Sequence, residues 1–293
     1  NLNVLIGARF VQGAFIPALT TCIAAYLAKT LPPERLNIVM GSYVSATVVG
    51  GLGGRLLGGW IHPPLHWRYA FISAAALIAI ASFVAVRGLP KAPVEPNKPR
   101  STVSYWQLVK QWTFLRLFFC AMGSFAVFSS VFNYLPFRLS HEPFNFSTET
   151  ITLLYLVYVM GIFMGPMAGR ISNRFGNGAT LIGGSLVLVL GLVLILLPSV
   201  VAIISGLLVV CTGFFAVHAA AIGALNRKLS SGQGRANALY VLFYYVGGSI
   251  GITVAGIAYE SGGWERVISL CIMLVLIPLS AGLFERRSAK AAL

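Results

Sequence analysis

Residues 200–225 read VVAIISGLLVVCTGFFAVHAAAIGAL, a run without Asp, Glu, Lys or Arg that opens after Pro198 and stops before Arg227 and Lys228. About 20 mostly apolar residues suffice to cross the hydrocarbon core of a bilayer. Outward from this run, comparable stretches recur near 3–28, 37–61, 67–87, 112–138, 149–169, 179–197, 236–259 and 265–284. Nine runs of this length predict an all-α membrane protein with nine transmembrane helices. Composition agrees: 57% of residues are hydrophobic and 10% charged, with a mean hydropathy of +0.84, whereas soluble domains carry about 25% charged residues.

One stretch breaks the pattern. Gly88 to Gln111 contains GLPKAPVEPNKPRS, rich in Pro and Lys and neither apolar nor periodic, and is expected to be a solvated linker. It divides the chain into three helices (1–87), a basic linker (88–111) and six helices with a tail (112–293).

The formal net charge is +14, and all seven acidic residues are glutamates. In a soluble domain that balance would point to nucleic acid. Here the cations fall between apolar runs, which is the pattern of membrane topology. Fifteen Lys and Arg, from Lys29 and Arg35 through Arg227 and Lys228 to Arg287 and Lys290, collect on one side, and three (Arg68, Arg138, Arg266) on the other. The positive-inside rule makes the first side cytoplasmic, placing the linker and the C-terminus inside. Arg9, Arg55 and Arg116 lie within spans. The four cysteines sit singly in separate apolar runs and read as small core residues.

An internal repeat organises the helices. VGGLGGRLLGG (Val49–Gly59) matches VGGSIGITVAG (Val246–Gly256) at five positions, 197 residues further on, and at the same offset Trp67 falls on Trp264. Gly13, Arg35 and Asn37 meet Gly213, Arg235 and Asn237 at an offset of 200. Helices one to three thus repeat as seven to nine, the parallel-repeat plan of many transporters. Extended to helices four to six, the repeat leads us to expect three further helices before residue 1.

Three motifs carry a resemblance to a known family. RFVQGAF (Arg9–Phe15) resembles the fourth-helix motif of the major facilitator superfamily, with Gln12 and Gly13 following the Arg. GGLGGRLLGG (Gly50–Gly59) resembles its fifth-helix antiporter motif, with Arg55 in place of the usual Pro. GPMAGRISNRFG (Gly165–Gly176) resembles its loop between helices eight and nine, without the acidic residue usually found at Arg170. The resemblance implies a 6+6 helix bundle close to the twelve-helix drug:proton antiporters and sugar-efflux permeases. It also implies a multi-pass, monomeric protein of a bacterial inner membrane, with protons and a small-molecule substrate as partners and no cofactor.

Each motif also has a physical reading. An Arg inside a membrane is costly and usually functional, so Arg9 either snorkels to the interface or serves coupling, as the resemblance implies with Gln12. Gly50, Gly54 and Gly58 are spaced by four, clearing one helix face for close packing; Gly51, Arg55 and Gly59 flank it, and Gly13 is a packing candidate on the preceding helix. The resemblance implies that this face seals one access state against the helix carrying Gly247, Gly248 and Gly251. Arg170 and Arg174, four apart beside Gly165, Pro166, Gly169 and Gly176, read either as positive-inside charge or as a latch on a neighbouring helix end. By resemblance Asn133, Tyr134 and His218 face a central cavity, and Tyr155, Tyr158, Tyr244 and Tyr245 are candidates for the same surface or for interface anchors. His62 and His66 flank Pro63 and Pro64, which denies them a shared helical face and speaks against a metal site.

An intramembrane enzyme would need a positioned nucleophile or metal motif; HExxH does not occur, and every glutamate lies in a loop or at a span end, leaving no buried acidic pair for acid–base chemistry. A channel or receptor would not require the repeat. The expectation is a proton-coupled exporter of small organic molecules working by alternating access, with an inactive transporter fragment as the alternative for this length of chain.

Overall fold

The computed structural model of the chain describes residues 2–30, 33–62, 64–89, 103–229 and 231–290. Every regular element among them is helical. The first group comprises α1 (Leu2–Thr30), α2 (Pro33–Ile61) and α3 (Arg68–Gly88). The second comprises α4 (Tyr105–Lys110), α5 (Trp112–Leu139), α6 (Thr148–Leu154), a 3-10 turn η1 (Tyr155–Val159), α7 (Met160–Phe175), α8 (Asn177–Leu194), α9 (Val200–Arg227) and α10 (Gln233–Lys290).

Six stretches among the described residues are long and apolar enough to cross a membrane: 68–88, 112–139, 148–175, 177–194, 200–227 and 233–288. The all-α membrane fold read from the sequence therefore holds, with six such stretches; the expected count of nine goes further than this. The last stretch is two arms, because α10 turns at Gly262 and Gly263. Gly263 has φ +64°, a backbone region that side chains disfavour. Trp264 then opens the second arm, donating its indole N–H to the Ile195 carbonyl at 3.1 Å. Its repeat partner Trp67 likewise stands at the N-terminal cap of α3.

Close helix approach follows from small residues. A Cβ at Gly247 would meet the backbone of Met122, and one at Gly251 would lie 2.6 Å from the Ala126 carbonyl. These two glycines, one turn apart, let α10 lie directly on α5, which is buried along most of its length from Phe114 to Leu139. Without water between them, transmembrane helices are held by this kind of contact. The interior comprises two apolar clusters, one around Phe118, Tyr240 and Ala221 and one around Phe128, Phe214 and Val210.

The stretch read as linker differs at its end. Residues 90–102 lie outside the described residues, but α4 follows them. Ser104 accepts from the Trp106 and Gln107 amides while Gln107 accepts from the Ser104 amide, a capping box. The short helix buries Leu108 completely.

Candidate functional site

A cavity of about 250 Å3 lies between the two helix groups. Four elements supply its wall. Phe125, Phe128, Ser129, Phe132 and Asn133 of α5 line it, a spacing that places all five on one helical face. Tyr245, Gly248, Ser249 and Ile252 do the same from α10. Tyr158 projects from η1, and Arg55 comes from α2. Arg55 and Ile252 are repeat partners, so equivalent positions of the two repeats meet at one site.

Aromatic rings dominate the chemistry. Phe128 stacks on Phe214 with centroids 4.0 Å apart and lies 4.7 Å from Phe132. The Arg55 guanidinium sits 4.8 Å from the Tyr158 ring centroid and 5.6 Å from that of Tyr155, a cation–π arrangement worth about 0.5–2 kcal/mol. Arg55 also donates to the Gly51 carbonyl of its own helix at 3.1 Å. Among the described residues no carboxylate lines the cavity. Tyr158 is 5% exposed, and its hydroxyl has no protein partner among the described residues. The helical tightening at η1 is the kind of mid-helix 3-10 segment that often marks a hinge, and it carries both tyrosines that face Arg55.

The candidates from sequence are dispersed. Asn133 lines the cavity and donates to the Ser129 carbonyl at 2.8 Å. Tyr134 turns aside, donating to the Ile252 carbonyl at 3.2 Å and covering Gly256. His218 packs within Phe214, Tyr240 and Tyr244, with its Nδ1 3.0 Å from the Tyr240 hydroxyl. Arg9 donates to Gln12 at 2.8 Å and lies over the Phe71 ring of α3, 4.7 Å from its centroid. Tyr245 and Tyr158 reach the cavity.

The glycine face behaves differently from expectation. Among the described residues, Gly13, Gly50, Gly54 and Gly58 have no atom within 4 Å of where a Cβ would stand, Gly51 meets only Arg55, and Gly59 meets Thr152 of α6. Gly247 and Gly251, the expected partners of that face, are instead closed by Met122 and Ala126 of α5, while Gly248 faces the Phe125 ring. Toward the second helix group, α2 contacts α6, η1 and α7, and its Val48 and Leu52 are buried in the shared core.

In the Gly165–Gly176 segment, Gly165, Pro166 and Gly169 lie within α7, and Gly176 (φ +86°) makes the turn into α8. Arg170 and Arg174 are exposed, the latter lying over Phe175. The cation that ties this turn to a neighbouring helix end is Arg227, which donates to Asn173 at 3.0 Å and also to Asn177. An Arg does hold the turn, but it comes from α9.

Sequence reasoning missed one cluster entirely. Glu285 is buried between two cations: Arg116 Nη2 lies 2.8 Å from one carboxylate oxygen and Lys228 Nζ 2.8 Å from the other. Arg116 also donates to Ser288 at 3.1 Å. The cluster joins the start of α5, the end of α9 and the far end of α10.

Comparison with known proteins follows the same lines. Residues 1–251 match the family model of the Major Facilitator Superfamily. The inner membrane transport protein YnfM of Escherichia coli (strain K12) is 35% identical over 264 residues, covering 88% of this chain and 63% of that protein. The MFS-type transporter YybF of Bacillus subtilis (strain 168) is 25% identical over 294 residues, covering 99% of this chain and 73% of that protein. In three dimensions the chain resembles a bacterial homolog of the human lysosomal transporter Spinster in an inward-facing, unoccupied conformation, with a TM-score of 0.59 at 14% identity, over 90% of this chain and 72% of that one. A bundle with a repeat-related cavity, a family match over most of its length and transporters as relatives agree: the chain belongs to the Major Facilitator Superfamily.

Proposed function

We propose that the protein is a proton-coupled exporter of small organic molecules working by alternating access, with the cavity between Arg55, Asn133 and Tyr158 as the substrate site. The observation that carries this reading is the cavity's position, walled by α2 of the first group and by α5, η1 and α10 of the second. A site at the interface of two repeats is what rocking of one bundle against the other exposes alternately. The test is flux in liposomes containing the intact transporter, driven by an imposed pH gradient. Flux should collapse when the gradient is dissipated. Asn133→Trp, which fills the cavity from an exposed position, should abolish it at normal expression. Flux indifferent to the gradient removes proton coupling, and full flux through Asn133→Trp removes the cavity.

Arg9 and Gln12 are assigned to coupling. Arg9→Lys keeps the charge but loses the planar fork, so flux is expected to fall while expression is preserved. Wild-type flux through Arg9→Ala would make Arg9 an interface anchor.

The reading places the protein in a bacterial inner membrane with a cytoplasmic C-terminus, supported by the cation asymmetry and by the inner-membrane name of the Escherichia coli relative. A C-terminal green fluorescent fusion should glow and a C-terminal alkaline phosphatase fusion should stay inactive. The opposite pair of results reverses the topology.

A further inference from the structure

From the geometry of the cavity we infer that its ligand is a small planar organic anion, an arene carboxylate in chemical class; this rests on the cavity being the substrate site. Three observations converge. The first is charge: among the described residues, Arg55 is the one cation in the lining and no carboxylate there neutralises it. Its single hydrogen bond to protein among the described residues goes to the Gly51 carbonyl, while a guanidinium has five N–H donors in a fork that matches a carboxylate. A charge at membrane depth is costly unless paired, and a bound anion pairs it. A cationic ligand would add repulsion with nothing to offset it.

The second is shape. Phe125, Phe128, Phe132, Tyr158 and Tyr245 wall the cavity, and ring faces favour a flat apolar body in offset or edge contact. The volume of about 250 Å3 is below the roughly 300–1,000 Å3 of pockets for drug-sized ligands, which favours a body of single-ring size between the rings. The third is the Tyr158 ring, which the Arg55 guanidinium faces 4.8 Å from its centroid, together with its hydroxyl, buried without a hydrogen-bond partner among the described residues. That hydroxyl supplies a donor for the second carboxylate oxygen, and a buried polar group left unpaired is costly until that bond is made.

The experiment is calorimetric titration of the purified intact transporter with benzoate, benzamide and benzamidine, which share a ring and differ in charge. Benzoate is expected to bind at least tenfold more tightly than benzamide, and benzamidine not to bind. Arg55→Gln should weaken benzoate at least tenfold and erase its advantage over benzamide, Arg55→Lys should keep part of it, and Tyr158→Phe should cost severalfold. If Arg55→Gln does not fold, the three ligands on the wild type decide alone. Benzamide equal to benzoate, a preference for benzamidine, or no binding by any of the three overturns the anion assignment. The Asn133→Trp flux measurement separates the two readings: loss of flux without charge preference keeps the site and discards the ligand class, and retained flux discards the site.

Discussion

Glu285→Ala is expected to lower the stability of the second helix group by about 3–5 kcal/mol, the usual cost of stripping one partner from a buried ion pair. Arg116 and Glu285 side chains are 6% and 7% exposed, and Lys228 is 28% exposed. Removing the carboxylate leaves the Arg116 guanidinium buried, with Ser288 as its remaining partner among the described residues and its Nε already unpartnered there. Lys228 can turn to water; Arg116 cannot. The loss should appear as a lower midpoint of thermal unfolding in detergent, and it should be larger for Glu285→Ala than for Lys228→Ala. Replacing both members, Arg116→Met with Glu285→Met, should recover most of the loss, since apolar side chains of similar volume meet no desolvation penalty there. An unchanged midpoint in Glu285→Ala would mean that the cluster is hydrated and holds nothing together.

That cluster also shows where sequence reading ends. Arg116 and Glu285 are 169 positions apart, and each has an adequate local explanation: a cation near the start of a span, a carboxylate at the end of one. Only helix packing brings them together. The helices themselves were legible, because each apolar run is a local property of the chain and lipid leaves the backbone few alternatives. The repeat was legible too, and the meeting of Arg55 with Ile252 across one cavity follows from it. The cavity wall was legible only in part. Phe125, Phe128, Ser129, Phe132 and Asn133 repeat with helical spacing, but in a chain rich in apolar residues such a stripe fits a packed face as well as a lined one. Arg55 was assigned to the glycine motif because its neighbours are glycines; its side chain instead reaches the tyrosines of η1. The cap that makes α4 a helix, Ser104 and Gln107, was present in the sequence but masked by the Pro and Lys residues before it.

The two glycine pairs allow a sharper test, because the repeat relates Gly54 to Gly251 while the structure surrounds them differently. Gly251→Leu is expected to prevent normal assembly. Its Cβ would stand 2.6 Å from the Ala126 carbonyl and 2.7 Å from the Ala126 Cα, backbone atoms that no rotamer can move aside. The helices must separate along their length, and the contacts that hold α5 to α10 in place of a hydrophobic force are lost with them. Low yield or a broad, early unfolding transition in detergent should result. A Cβ at Gly54 meets no atom of the described residues within 4 Å, so yield and unfolding of Gly54→Leu should stay near those of the parent. Its expected effect is on flux, because the clear face of Gly50, Gly54 and Gly58 is proposed to close on another helix during the transport cycle, as the Gly247 and Gly251 face closes on α5 at rest. One substitution should thus fail in folding and its repeat partner in transport. Normal flux through Gly54→Leu would show that the face stays open throughout the cycle, and a stable, well-folded Gly251→Leu would show that α5 and α10 do not lie as close as the glycines permit.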